Sequence, residues 1–433
     1  MLRPGDAGYD DARRIHNGLI DKHPSLIARC RTSSDVAAAI TQSRREGLEV
    51  AVRGGGHNVA GKAVTEGGLM IDLSPMKEIE VDSSACTARA QPGLTWDEFN
   101  IATAPHGLAT TGGVVSTTGI AGLTLGGGFG WLQGKYGLAV DNLVGAEVVT
   151  ADGDVLKASE AENADLFWAL RGGGGNFGVV TSFTFQLHPV STVLGGVAAF
   201  PLAAADAVID VFRRVAKEAP DELGVQCGFV TGPDAATKLV ALPLCHCGEL
   251  DQAEADIRPV REIGTPLLDA IEPKSYIEQN RQVDASFPAG ALNYWKSAFF
   301  TDLSDAAARV LIESFEQCPS PMTACVIESI GGAASRVAST AMAYAHREPG
   351  FNLLLLSQWA EPADTEPNIA WTRETFEALQ PHMADRRYVN YLAADDGGHT
   401  RDAYGANYER LVELKQRYDP DNVFRLNQNI DPR

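Results

Sequence analysis

The order of apolar and polar positions near the N-terminus predicts a β-α-β unit. Apolar runs at residues 26–29 and 49–52 have the length of short buried strands, and residues 33–45 between them have helical periodicity. Ser33 or Ser34 is a suitable N-cap, because its hydroxyl can accept a hydrogen bond from a free N–H group of the first turn. The first part of the chain is therefore predicted to be α/β, with a right-handed crossover.

Alternation typical of strands dominates the rest of the first 190 residues. The sequence Thr95-Trp96-Asp97-Glu98 matches a capping box and predicts a helix that ends near Pro105. Asp152-Gly153 has the composition of a hairpin turn. Strands are predicted at residues 145–150, 155–158 and 179–187.

Beyond residue 190 the pattern predicts a second unit, of the α+β class, with a mainly antiparallel sheet. Helices are predicted at residues 203–216, 252–261, 371–379 and 408–417. Strands are predicted at residues 225–231, 238–244, 324–330 and 352–359. We place the boundaries at about Pro189 and Asp396, which gives three segments, residues 1–189, 190–396 and 397–433.

Composition and charge exclude several classes of partner. The 433 residues are 45% hydrophobic, which is enough for a sizeable core, and the formal net charge is −20. Such an acidic chain argues against nucleic acid or an anionic membrane surface as a partner, because both require basic patches.

No apolar stretch has membrane-spanning length, and residues 1–10 carry no signal-peptide core. Seven cysteines, an odd number, indicate free thiols, and we expect a reducing, cytoplasmic location.

Cys245-His246-Cys247 has the composition of a metal site. It follows a strand-like run, residues 238–242, and no second pair of ligands follows at zinc spacing. The sequence therefore predicts a strand with two buried thiols and no metal site.

Three glycine loops carry the strongest chemical signal. They are Arg53-Gly54-Gly55-Gly56-His57-Asn58, Gly126-Gly127-Gly128-Phe129-Gly130 and Arg171-Gly172-Gly173-Gly174-Gly175-Asn176-Phe177-Gly178. Glycine lets backbone N–H groups approach an anion, since no Cβ stands in the way, so the loops predict nests for a large phosphate-bearing cofactor. A Rossmann fingerprint requires a helix after its last glycine. The third loop leads into a predicted strand instead, so we reject that interpretation.

Together with the tail, these loops resemble the vanillyl-alcohol oxidase superfamily of flavoproteins. The resemblance is closer to its berberine-bridge-enzyme-like branch, of the bacterial 6-hydroxynicotine-oxidase-like type. It covers nearly the whole chain through four segments in order, residues 52–61, 119–142, 165–187 and 404–430. The resemblance implies an α+β chain: a PCMH/vanillyl-alcohol-oxidase-type FAD-binding fold of two α/β subdomains, completed by the tail, plus an antiparallel-sheet substrate domain.

The resemblance also implies FAD as the cofactor, bound covalently through His57. An imidazole nitrogen of His57 would bond to the 8α-methyl group of the isoalloxazine ring. The cysteine of doubly attached members would fall at Val115, which has no thiol, so a single histidyl link and no cysteinyl link are expected. Residues 427–429 are expected to form a strand that returns to the flavin. The implied cofactor-binding residues are Arg53, Gly54, Gly55, Gly56, His57, Asn58, Gly113, Thr118, Gly119, Gly122, Gly128, Gly175, Val179, Asn427 and Asn429.

Two tyrosines are the candidate catalytic residues. Tyr391, in the pair Asn390-Tyr391, falls where the family's tyrosine takes the proton of a substrate hydroxyl. A base role at neutral pH requires a stabilised phenolate, because a phenol has a pKa of ~10, so a cation or several hydrogen-bond donors are expected around it. The alternative is a core or binding tyrosine with a satisfied hydroxyl. Tyr136 matches a tyrosine that borders the substrate cavity, and is a candidate pocket residue or assisting acid or base.

The function implied is that of an FAD-dependent oxidoreductase, expected to be an oxidase. A CH–OH or CH–NH group of a small to medium organic substrate would lose hydride, and O₂ would take the electrons to give H₂O₂. Two alternatives stay open: a dehydrogenase of the same fold with another acceptor, and a non-catalytic protein that sequesters a flavin or ligand, as a resistance or carrier protein does. The expected assembly is a monomer or a homodimer.

Overall fold

Four sheets organise the chain, which a computed structural model describes over all of residues 1–433. The strands are β1 (Leu26–Arg29), β2 (Val50–Arg53), β3 (Leu69–Asp72), β4 (Ile79–Asp82), β5 (Thr87–Ala90), β6 (Leu108–Ala109), β7 (Leu143–Val149), β8 (Val155–Ala158), β9 (Val179–Gln186), β10 (His188–Pro189), β11 (Thr192–Pro201), β12 (Leu223–Thr231), β13 (Lys238–His246), β14 (Leu268–Asp269), β15 (Glu272–Ser275), β16 (Leu292–Phe300), β17 (Ala324–Ile330) and β18 (Gly350–Trp359). The helices are α1 (Tyr9–Arg13), α2 (Ser33–Glu46), α3 (Trp96–Thr103), α4 (Ile120–Leu125), α5 (Gln133–Tyr136), α6 (Ala164–Leu170), α7 (Ala205–Glu218), α8 (Leu250–Asp256), α9 (Arg258–Arg261), α10 (Tyr276–Arg281), α11 (Asp305–Glu316), α12 (Ala333–Arg336), α13 (Thr365–Leu379), α14 (Thr400–Tyr404) and α15 (Tyr408–Tyr418). None of the helices has the length and apolar character needed to cross a bilayer.

A small parallel sheet forms the first subdomain. Strands β1 and β2 both pair with β3 and lie on either side of it, so the predicted β-α-β unit spans a third strand that the pattern did not indicate. Helix α2 begins after Thr32, whose hydroxyl accepts a hydrogen bond from the Asp35 N–H group, while the Asp35 carboxylate accepts one from Thr32. The predicted cap at Ser33 or Ser34 is therefore wrong, because the capping box is completed by Thr32.

The second subdomain contains a five-stranded sheet in the order β4-β5-β9-β7-β8, with antiparallel pairs throughout. Strands β7 and β8 form the hairpin predicted at Asp152-Gly153, where Gly153 has a φ of 85°. The predicted capping box of Thr95 and Glu98 is confirmed at the start of α3. Only the first subdomain has the parallel strand order that a β-α-β unit implies.

The largest sheet has eight antiparallel strands, in the order β14-β11-β13-β12-β17-β18-β16, with β15 also paired to β11. Helices α7, α11 and α13 cover one face and form a core around residues such as Phe212. Successive side chains of β17 point to opposite faces: Cys325 and Ile327 belong to this core, whereas Val326 and Glu328 point to the other side. That other face lies opposite the glycine loops.

Most predicted elements of this second unit are confirmed within two residues at each end, but α13 begins six residues earlier than predicted and one helix is broken. The helix predicted at residues 252–261 is interrupted at Ile257, between α8 and α9. Pro259 explains the break, since proline has no N–H group for the helical hydrogen bond and its ring collides with the preceding turn. The segment boundaries at about Pro189 and Asp396 stay predictions.

The C-terminal tail lies against the second subdomain, and its last residues differ from the prediction. Residues 427–429 are not a strand. Their backbone is held by side chains: Asn176 Nδ2 and the Tyr404 hydroxyl donate to the Gln428 carbonyl at 3.1 and 2.9 Å, and the Ile430 N–H donates to Asn176 Oδ1 at 3.0 Å. These bonds replace the ladder that a strand would require.

Candidate active site

A cavity of about 730 Å³ lies between the glycine loops and the free face of the largest sheet. Its volume is in the range of natural ligand sites. Tyr391 and most of the predicted cofactor residues line it: Gly54, Gly55, Gly56, His57, Asn58, Gly113, Thr118, Gly119, Gly122, Gly175, Val179 and Asn427. Four predicted site residues lie outside the lining: Arg53, Gly128, Asn429 and Tyr136.

Arg53 stabilises the first glycine loop from behind. Its Nη2 atom lies 2.9 Å from Asp72 Oδ1, and its Nη1 atom donates to the Arg14 carbonyl at 2.9 Å. Asp72 is fully buried on β3, so this pair fixes the point at which the loop leaves β2. Arg53 is expected to bind the cofactor, but its side chain is instead paired with Asp72 and lies outside the cavity lining.

The cavity glycines serve two different purposes. Gly55 and Gly119 pack backbone against backbone, and a Cβ atom on Gly55 would lie 2.4 Å from the Gly119 nitrogen. Gly122 and Gly175 line the cavity, and no protein atom lies within 4 Å of the place where their Cβ would be. Glycine at the first pair permits close packing, and at the second pair it leaves open space for a ligand.

Two further predicted cofactor residues, Gly128 and Asn429, lie outside the cavity lining. Gly128, with a φ of 88°, donates its N–H group to the Tyr388 hydroxyl at 2.8 Å. Asn429 has a buried Oδ1 atom without a hydrogen-bond partner. The structure contradicts direct contact with the cavity for both residues.

His57 lies at the rim of the first loop, with each ring nitrogen near a hydroxyl group. Its Nε2 atom is 3.2 Å from Thr117 Oγ1, and its Nδ1 atom is 3.4 Å from Thr118 Oγ1. The His16 ring stacks on it. Burial, and to a smaller extent His16, lowers the pKa of His57 to about 3. The imidazole is therefore neutral near pH 7 and keeps a lone pair for bond formation. Val115 lines the cavity, and none of the seven cysteines does.

Glu328 is the most important of the site residues that the sequence did not indicate; Lys62, Gln282 and Gln358 are others. Glu328 lies on β17, is 4% exposed, and accepts hydrogen bonds from the Tyr391 hydroxyl at 3.0 Å and from Asn352 Nδ2 at 2.8 Å. Burial raises the pKa of Glu328 to about 7, so the carboxyl group can exchange a proton near neutral pH, as a general base requires. The available signal was a single carboxylate in the apolar strand 324–330.

Tyr391 donates to that carboxylate, which contradicts the expected phenolate. Burial and the Glu328 charge raise the pKa of Tyr391 well above its usual value. The charged group bonded to the hydroxyl is an anion, so the neutral phenol is favoured. The Tyr388 and Trp295 rings, with centroids 4.7 and 6.1 Å away, hold the Tyr391 ring edge-on. The geometry therefore suits a neutral hydroxyl that relays a proton to Glu328.

An ion-pair network fixes the segment that follows Tyr391. Lys296 Nζ on β16 lies 2.9 Å from Asp395 Oδ1 and 2.5 Å from Asp396 Oδ1. The Tyr294 hydroxyl donates to Asp395 at 2.7 Å. These bonds connect β16 to the segment that directly follows Tyr391, so we interpret the network as structural support.

Tyr136 lies outside the cavity, against the start of the largest sheet. Its ring stacks on His188 with centroids 4.0 Å apart, and its hydroxyl donates to the Pro189 carbonyl at 3.4 Å. Tyr136 does not line the cavity, so its position does not support the predicted role as a pocket residue, and its role as an assisting acid or base stays a prediction.

Charge is sparse in the cavity wall. Lys62, close to the first glycine loop, is the cationic side chain of the lining, and Glu328 is its carboxylate. Burial lowers the pKa of Lys62. The Asn427 amide lines the cavity with a buried Oδ1 atom that has no partner in the protein. A ligand with both a phosphate group and hydrogen-bond donors satisfies these groups.

Comparison with known proteins identifies the family. The FAD binding domain model matches residues 24–159, and the berberine and berberine-like model matches residues 387–431. (R)-6-hydroxynicotine oxidase of Paenarthrobacter nicotinovorans is 32% identical over 454 residues, which cover 100% of this chain and 96% of that protein. An FAD-linked oxidoreductase of Dictyostelium discoideum is 30% identical over 100% of this chain and 94% of its own. The chain belongs to the berberine-bridge-enzyme-like FAD-linked oxidoreductases.

A solved structure of this family confirms the predicted fold class. The crystal structure of 6-hydroxy-D-nicotine oxidase from Arthrobacter nicotinovorans matches with a TM-score of 0.90 and 31% identity, over 100% of this chain and 97% of that one. The PCMH-type FAD-binding fold with an antiparallel-sheet domain is therefore shown for this berberine-bridge-enzyme-like protein.

The residues of the cavity fit FAD. Gly122 and Gly175 leave room where a side chain would block the cofactor, and Lys62 can pair with a pyrophosphate group. The unpaired Asn427 oxygen suits an N–H or O–H donor of the cofactor. When bound, the flavin supplies the hydride acceptor, and the protein supplies the positions of the substrate and of the base.

Proposed function

We propose that this FAD-dependent oxidoreductase removes hydride from a CH–NH or CH–OH carbon, with Glu328 as the base and Tyr391 as the relay. The observation that supports the proposal is the 3.0 Å hydrogen bond between Tyr391 Oη and Glu328 Oε1 in the cavity wall. The substrate heteroatom gives its proton to Tyr391 while the Tyr391 proton moves to Glu328. Loss of that proton raises the electron density on the carbon that gives up hydride, so the two events assist each other.

The free polar groups of the cavity favour substrates that donate hydrogen bonds. Gln358 is 1% exposed, and its Nε2 atom donates to the Ser286 carbonyl at 3.0 Å, which leaves its Oε1 atom buried without a partner. In Gln282, likewise, Nε2 donates to the Gly196 carbonyl at 3.3 Å, and the Oε1 atom is buried without a partner. Both free groups are acceptors. We therefore propose apolar amines or alcohols as substrates, and not carboxylates or phosphates, since no cation lines the sheet side.

We also propose O₂ as the electron acceptor, with H₂O₂ as the product. The proposal is supported by the similar 6-hydroxynicotine oxidase, which is named as an oxidase in both its sequence and its crystal structure. Protein reduced by substrate without air and then mixed with air should reoxidise within the turnover time. Much slower reoxidation would contradict the oxidase and favour a dehydrogenase with another acceptor.

A single covalent link through His57 is part of the proposal. It is supported by the neutral imidazole at the cavity rim and by the lack of a cysteine in the lining. Acid-precipitated protein should stay yellow, and one flavin-bearing peptide should contain His57. His57→Ala should release FAD on precipitation. Free flavin in the supernatant of the wild-type protein would refute the link.

A substrate panel tests the activity itself. It should contain both enantiomers of 6-hydroxynicotine, because a similar protein is named as its oxidase, and matched sets of apolar amines, alcohols and carboxylates. We expect amines or alcohols to bleach the flavin without air and to release H₂O₂ in air. If no compound of the panel bleaches the flavin, although dithionite reduces it, the non-catalytic carrier is favoured.

We also propose that the protein is a monomer or a homodimer and that it is cytoplasmic. Gel filtration with light scattering tests the assembly, and cell fractionation tests the location.

A further inference from the structure

His16 stacks on His57 and has no function in the site described above. The two ring centroids are 3.9 Å apart, and the ring planes differ by 19°. The His16 side chain is 8% exposed, and its Nε2 atom is buried without a hydrogen-bond partner. The Nε2 atom therefore does not bond the ring to another part of the protein. The ring contact that remains is the stack on His57.

The backbone places the His16 ring with little freedom. The His16 N–H group donates to the carbonyl of Gly56, the residue directly before His57, at 3.0 Å. The His16 carbonyl accepts from the Gly290 N–H group at 2.9 Å. The residue is thus held between the first glycine loop and the segment that leads into β16, and its ring covers one face of the His57 imidazole.

Covalent attachment sets a strict requirement on the orientation of His57. In the proposed link, a bond would form between a ring nitrogen of His57 and the 8α carbon of FAD, while that carbon and the imidazole would each lose a proton. The two electrons left on the flavin would pass to dioxygen, which would take them with the two protons as H₂O₂. The nitrogen lone pair lies in the ring plane, so the plane must be directed at the 8α carbon before the bond can form.

We propose that His16 is a positioning residue for covalent flavin attachment, and that its flat ring holds the His57 imidazole in the plane required for bond formation. This inference rests on the proposed His57 link. Thr117 and Thr118 fix the rotation of the ring within that plane through its two nitrogens, at 3.2 and 3.4 Å. The His16 stack supports the face of the ring and resists its tilting, in addition to these contacts at the ring edge.

The test measures the rate of attachment and not the activity of the finished enzyme. The full chain, produced with limiting riboflavin, is incubated with FAD in air, and acid-stable flavin is followed with time. Total bound FAD is measured in parallel by gel filtration without acid. His16→Leu fills the buried space without a flat ring, and His16→Phe keeps a flat ring without nitrogen. His23→Ala removes an exposed histidine from the same N-terminal segment and serves as the control.

We expect His16→Leu to bind FAD but to attach it ~10–100-fold more slowly, the scale expected for a misplaced reacting group. His16→Phe should recover most of the rate, and His23→Ala should match the wild type. A wild-type rate in His16→Leu would overturn the inference. So would equal slowing by Leu and Phe, since the flat ring would then not be the cause. Free flavin in the wild-type protein would overturn the His57 link together with this inference, whereas a normal link with an unaffected Leu variant would overturn this inference alone.

Discussion

At the scale of single residues, the proposed mechanism depends on one buried carboxylate, that of Glu328. Glu328→Gln keeps the shape of the side chain but removes the proton acceptor, and flavin reduction by substrate should slow by ~10²–10⁴, the usual contribution of a general base. Because burial raises the pKa of Glu328 to about 7, the wild-type rate should rise as the pH passes that value and then level off. Rapid-mixing measurements of flavin reduction without air test both the slowing in the variant and the pH dependence of the wild-type rate. The same pH dependence in the variant would assign the titration to another group.

Tyr391, the proposed relay residue, has a natural control in the same chain. Tyr391→Phe removes the hydroxyl that donates to Glu328 and should slow flavin reduction by at least ~10-fold, because the proton path is interrupted. Tyr136→Phe removes a hydroxyl that faces Pro189 outside the cavity and should leave the reductive rate unchanged. Equal slowing in the two variants would contradict the placement of Tyr136, and an unaffected Tyr391→Phe would mean that substrate reaches Glu328 directly.

At the scale of elements, a buried ion pair attaches α15 to the third glycine loop. Lys415 and Asp419 are both fully buried, with Nζ 2.6 Å from Oδ2, and Nζ also donates to the Asn176 carbonyl at 2.8 Å. Lys415→Met leaves Asp419 charged and unpaired in the interior and should lower the free energy of unfolding by ~3–5 kcal/mol. Asn176 lies next to the cavity residue Gly175, so noncovalent FAD binding should also weaken.

Urea unfolding and FAD titration of the apoprotein measure these two effects. Arg417→Met on the same helix is the control. The Arg417 side chain is 64% exposed where it pairs with Asp165, so its loss should lower the free energy of unfolding by at most ~1 kcal/mol. Equal stability of the two variants would show that the buried pair does not hold the tail.

At the scale of the whole molecule, Asn17 connects the chain just after the first glycine loop to the largest sheet. Its Nδ2 atom donates to the carbonyls of Val59 and Asn293 at 2.9 and 3.0 Å, and its Oδ1 atom accepts from the Asn293 N–H group at 3.0 Å. Asn17→Ala leaves these buried backbone groups without partners and should lower the free energy of unfolding by ~2–4 kcal/mol. Gln317→Ala, at an exposed amide, should have no effect. A stable Asn17→Ala variant would show that water replaces the bonds.

Local features of this chain were predictable because their causes lie within a few residues. The capping box at Thr95 and Glu98 and the turn at Asp152-Gly153 each depend on neighbours in sequence. The pattern at residues 225–231 and 238–244 likewise predicted neighbouring strands of an antiparallel sheet, and the glycine loops predicted a phosphate-bearing cofactor. Where the prediction missed by a residue or two, as at Thr32, another local group competed successfully for the same N–H donors.

The chemistry of the site was decided by contacts between residues that are distant in sequence. Tyr391 and Glu328 are 63 positions apart, so the sequence indicated the tyrosine but not that an anion lies beside it. Arg53 is paired with Asp72 from a neighbouring strand, and Tyr136 is turned toward His188, although each lies in a segment that resembles the family. A pKa depends on burial and on nearby charge, and both quantities exist only after the loops, the sheet and the tail have come together.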